Sequence, residues 1–129
     1  MGRINNFEEL TIWKDSVDLV NQIYEVTKEK PFCRDYQLVD QIRRSVVSIP
    51  SNISEGFERD GKKEFINFLS IAKGSCGELR TQLHIAFYQE YIDEQNFNIL
   101  FNQAKDLSRS ISALMKYLRD IDYKGHKFK

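Results

Sequence analysis

The sequence lacks net charge, since 19 Lys plus Arg balance 19 Asp plus Glu. That balance excludes a generic polyanion binder: any nucleic-acid role needs local clustering of cations, or charge repeated by assembly of several copies. Cysteine is scarce. Cys33 and Cys76 are far apart, with no CxxC or Cys/His spacing between them, which speaks against a zinc site and for reduced thiols. No apolar run approaches the ~18 residues of a membrane span, and no charged-then-apolar leader opens the chain. These absences lead to the expectation of a cytoplasmic protein with no membrane partner. Proline is limited to Pro31 and Pro50, and no alternating strand pattern or internal repeat is visible.

What is present is helical periodicity. With 129 residues, 41% hydrophobic and 29% charged, the chain has the composition and size for one core without staples. The expectation is a single domain over 1–129, with helices at about 10–29, 35–58, 62–90 and 94–118. Phe7 in the preceding arm reads as a docking anchor. Helix one carries two apolar stripes: Leu10, Trp13, Val17, Val20 and Tyr24, and beside them Ile12, Leu19, Ile23 and Val26. So wide an apolar surface fits either a helix deep in its own bundle or one whose second stripe is a subunit seam. Asp35 and Asp93 are caps for helices two and four. Pro50 falls inside helix two, where a kink is expected. Gly74 and Gly77, interior to helix three, suggest a close approach of another backbone, that of helix two. Short connections then give an all-α, antiparallel up-down-up-down four-helix bundle. The residues from 120 onward read as a flexible basic tail. Between Lys116 and Lys129 stand Lys116, Arg119, Lys124, Lys127 and Lys129, against Asp120 and Asp122.

The sequence carries few signatures of chemistry. Di-metal bundles use Glu-x-x-His ligands, but neither His84 nor His126 stands three residues after a glutamate; no metal and no cofactor are expected. Phosphate loops need a strand before the helix. Helical ribonucleases of the HEPN class pair an arginine with a histidine across four to six intervening residues, the cation holding the phosphate while the imidazole moves protons. Arg119 and His126 fit that count, and Arg80 and His84 are one residue too close; neither pair yields a catalytic assignment. The conspicuous polar set is Arg43, Arg44, Asn52, Glu55, Ser75 and Glu78. Carboxylates at Glu55 and Glu78, if buried, need cationic or backbone donors. The set reads as a network fixing helix register, or alternatively as a ligand pocket.

Phe7 with Leu10 and Trp13, Gln41-Ile42-Arg43-Arg44, Ser48 to Glu55-Gly56, Arg59, Glu64-Phe65, and Gly74-Ser75 with Glu78-Leu79 together resemble the 23S rRNA intervening-sequence proteins. The resemblance covers about residues 7–118, and its most specific blocks are NISEG and GSCGEL. It departs at Gly61, where the pattern has a Ser or Thr cap, and at Ser45, where it has alanine. That family is similar in turn to the accessory variability proteins of diversity-generating retroelements, pentameric barrels that bind nucleic acid and a reverse transcriptase. The resemblance implies an antiparallel four-helix bundle, a homopentamer and no established enzymatic activity, and the chain is expected not to be an enzyme. The resulting expectation is an oligomeric scaffold that associates with RNA or binds protein. The rivals are an accessory subunit for a nucleic-acid enzyme and a HEPN-like ribonuclease. Candidate nucleic-acid contacts are Arg43, Arg44 and Arg59 and the tail lysines Lys124, Lys127 and Lys129.

Overall fold

The computed structural model describes residues 3–121; the tail lysines, His126 and the expected flexible tail from residue 122 onward lie outside the described residues, whereas Asp120 belongs to the last helix. Four helices run in chain order: α1 Thr11–Thr27, α2 Tyr36–Glu58, α3 Lys62–Tyr88 and α4 Glu94–Asp120. Each packs on its chain neighbours, and α1 closes on α4, so the helices form an antiparallel four-helix bundle. The α2–α3 pair is the most extensive contact and the α1–α4 pair the sparsest of the four. There is no strand among the described residues.

Local chemistry sets the helix ends. The Asp35 carboxylate accepts from the Leu38 amide at 3.1 Å, and that of Asp93 accepts from the Asn96 amide at 2.7 Å. Each thereby satisfies a donor that the first turn leaves unpaired. Asp35 also accepts from the Tyr91 hydroxyl at 2.9 Å, tying the start of α2 to the loop before α4. The Tyr91 ring stacks on the buried Phe32 at 5.0 Å. Phe7, in a short 3-10 turn ahead of α1, packs on Trp13 with ring centroids 5.4 Å apart. Helix α2 continues through Pro50, which is buried.

The core is built from Ile23, Ile42, Val46, Ile49, Ile53, Phe65, Leu69, Leu79, Leu83, Ile111 and Leu118, all fully buried. Helix α1 turns its second stripe inward: Ile12, Leu19 and Ile23 are buried, together with Ser16 and Thr27. That overturns its reading as a seam. Trp13, Val17, Val20 and Tyr24 are half-buried on the flank beside α2.

The close approach of α2 to α3 is at Gly56, not at Gly74 or Gly77. A Cβ on Gly56 would stand 2.6 Å from the Phe68 Cβ and 3.1 Å from Phe65 Cδ1, whereas a Cβ on Gly74 would meet nothing within 4 Å.

Candidate functional surfaces

The polar set singled out from sequence is dispersed. Arg43 leans back on α1: its Nε donates to Thr27 Oγ1 at 2.9 Å and its guanidinium lies 4.3 Å over the Tyr24 ring. Arg44 is exposed and donates to Asp40 at 2.9 Å. Asn52 donates to the Ser48 carbonyl at 2.7 Å. The Ser48 hydroxyl meets that of the buried Ser75, the one member of the set that links α2 to α3.

Glu55 pairs with Arg59 at 2.8 Å, each side chain about half exposed at 53%. Glu78 is exposed. The expected burial of these two carboxylates is corrected by helix geometry. Leu79 points into the core, and Glu78, one residue earlier and about 100° around the helix, points out. Glu55 is displaced in the same way by the buried Gly56.

The three arginines proposed from sequence also diverge. Arg43 packs on α1, Arg44 pairs with Asp40, and Arg59, besides its pair with Glu55, lies 5.1 Å over the Phe68 ring. Within one chain they form no shared patch.

Four other features emerge. Between α1 and α4 a cavity of about 220 Å³ is lined by Asp15, Asp18, Gln103, Asp106, Leu107 and Ser110. Gln103 Oε1 is buried there without a hydrogen-bond partner among the described residues. No group of His, Cys, Asp and Glu among the described residues is placed to hold a metal ion.

The outer face of α3 is poor in charge. Asn67, Ile71, Gly74, Glu78, Thr81 and Ile85 follow one another at alternating four- and three-residue steps, which sets them in one line along the helix. Ile71 is 52% and Ile85 42% exposed. The flank of α1 beside α2 is a second face, where Trp13, Val17, Val20 and Tyr24 are half-buried; Arg43 lies over Tyr24, and the exposed Val47, four residues on, shares the Arg43 side of α2.

The flank of α3 that faces α4 carries His84, packed 5.0 Å from Phe97 and 5.1 Å from Phe101. One turn away Arg80 Nε reaches the Cys76 carbonyl at 3.4 Å. Burial pushes the Cys76 thiol up to about 11, with Arg80 and Lys73 pulling in the other direction. Arg80 and His84 therefore sit in a packing environment, and His84 makes no hydrogen bond among the described residues through which to move a proton. Arg119 is in the last turn of α4, and its expected partner His126 is outside the described residues. Lys73 and Lys105 were not singled out from sequence, because they stand on two different helices, and Arg80 only for its spacing from His84.

Antiparallel helices around one core define the class: a four-helix-bundle protein. The profile of the 23S rRNA-intervening sequence protein family matches residues 8–113, and the chain belongs to that family. Among solved structures, a protein of unknown function from the S23 ribosomal protein family of Bacteroides thetaiotaomicron VPI-5482 is 23% identical in sequence. It superposes with a TM-score of 0.76, over 82% of this chain and 99% of that one, a likeness of fold. No curated protein matches the chain. No helix among the described residues is long and apolar enough to cross a membrane.

Proposed function

We propose that the chain is a non-enzymatic scaffold that assembles into a ring of copies and associates with RNA, the pentamer implied by the family resemblance being the assembled state. The observation that carries the assembly half of this reading is Gly74. A glycine inside a helix costs about 1 kcal/mol relative to alanine, and at Gly74 nothing within 4 Å in the protomer makes use of the missing side chain. Exposed Ile71 and Ile85 lie in line with it. A neighbouring copy seated on this face supplies the packing that the protomer lacks.

The half-buried flank of Trp13, Val17, Val20 and Tyr24 with Val47 supports a ring in particular. Closed rings join two different faces of the same chain, head to tail, and α3 stands across the bundle from α1. The α3 face has a gap at Gly74 beside the exposed Ile71 and the other face carries bulky aromatic side chains, so the two suit each other in shape.

Light scattering on the full chain at micromolar concentration tests the reading. The expected mass is near five times 15.2 kDa. A monomer contradicts the ring.

A further inference from the structure

Along the groove between α3 and α4, aromatic rings and unpaired cations follow one another. At its upper end His84, Phe97 and Phe101 pack together, and Tyr88, 5.8 Å from His84, is 69% exposed. One turn further along each helix come Arg80 on α3 and Lys105 on α4, neighbours because His84 and Phe101 touch and residues four apart share a helix face. Lys73 lies two turns beyond Arg80 on the same flank, about 10 Å along the axis.

Lys28, Arg44, Arg59, Arg109 and Lys116 each face a carboxylate. Lys73, Arg80 and Lys105 form no salt bridge with a described residue. Gly77 leaves space beside Arg80, whose Nη2 lies 3.9 Å from where a Cβ would be. Arg80 and Lys105 are half-buried; Arg80 Nε reaches the Cys76 carbonyl at 3.4 Å, and a guanidinium keeps further donors for a phosphate.

We propose that this groove binds a single-stranded polynucleotide, with bases stacking on Tyr88 and His84 and phosphates held by Arg80, Lys105 and Lys73. A duplex keeps its base faces occupied, so an exposed ring beside a row of cations suits unpaired bases. Neutral overall charge is no obstacle, because the three cations face one groove and have no competing carboxylate paired to them. The site rests on the RNA-associated half of the reading above and gives it a ligand class. The groove flank is a quarter-turn or so from the Gly74 face, which leaves both free to be occupied at once.

Fluorescence anisotropy with the full chain tests this, using a labelled single-stranded RNA about a dozen nucleotides long, DNA of the same sequence, and the RNA duplex, each at low and near-physiological salt. Single strands are expected to bind more tightly than the duplex. The triple variant Lys73→Gln, Arg80→Gln, Lys105→Gln should weaken binding at least tenfold and flatten the salt slope by about 2, since each phosphate contact on a single strand contributes about 0.7. Tyr88→Ser should weaken binding roughly tenfold with the slope unchanged. Arg44→Gln and Arg59→Gln should leave it as it is. Equal affinity for RNA and DNA assigns recognition to stacking and phosphate, and a preference for RNA adds a 2′-hydroxyl contact; either supports the site. No binding at low salt, duplex bound as tightly as single strand, or an unaffected triple variant would overturn it. Light scattering on the same samples separates the two failures: the groove can fail in an intact ring, and RNA can bind to a chain that forms none.

Discussion

Gly56 and Phe68 hold α2 and α3 together by what Gly56 lacks: a Cβ there would stand 2.6 Å from the Phe68 Cβ. Alanine is the better helix former by about 1 kcal/mol, yet at this position it forces the two backbones apart. Gly56→Ala is expected to destabilise the fold by about 1–3 kcal/mol, as overpacking does. Gly74→Ala should have the opposite sign, gaining about 1 kcal/mol, because its Cβ enters open space. Denaturant midpoints, measured dilute enough for copies to dissociate, check both signs.

This contrast marks how much of the molecule its sequence made legible. Helix class and connections followed from periodicity and from the caps Asp35 and Asp93, which act within one turn. Which glycine meets a neighbour depends on how two helices are turned, and no single-helix pattern carries that. The same holds for α1. Its inner stripe is completed by Ser16 and Thr27, buried polar residues whose hydroxyls donate to the Trp13 and Ile23 carbonyls at 2.8 Å. A count of apolar residues passes over them and leaves two stripes of equal standing. Arg43 and Arg44 look clustered because they are adjacent, but adjacent helical residues point about 100° apart.

Glu55→Ala and Glu78→Ala are each expected to change stability by no more than about 0.5 kcal/mol. Glu55 is half exposed and its pair with Arg59 spans a single turn, and such pairs contribute little. Thermal melts of the two variants check this; a large loss in either would restore the buried-network reading.

Cys76 gives the fold an alkaline dependence. Burial raises its thiol from 9.0 to about 11, so the folded state holds this proton more tightly than the unfolded chain does. The associated stability is complete below about pH 9 and is lost as pH rises toward 11. The Tyr91 hydroxyl, raised by its hydrogen bond to Asp35, acts in the same direction. Cys76→Ala should flatten the decline of the denaturant midpoint across that window, leaving the Tyr91 share. In the native protein a thiol reagent at neutral pH should modify the half-buried Cys33 and spare Cys76.

The central claim is that copies join through two different faces, the outside of α3 and the flank of α1 and α2. Its most direct test mixes two variants that each block one face. Gly74→Arg places a charge where the protomer has nothing within 4 Å, and Val47→Glu places one at a side chain already 38% exposed, so both chains should keep their helicity. Alone, each variant is expected to be monomeric by light scattering. Mixed in equal amounts, they should form a dimer near twice 15.2 kDa, because the Val47→Glu chain still offers its α3 face and the Gly74→Arg chain its α1–α2 flank. A mixture that stays monomeric, or a single variant that keeps the wild-type mass, would contradict the account.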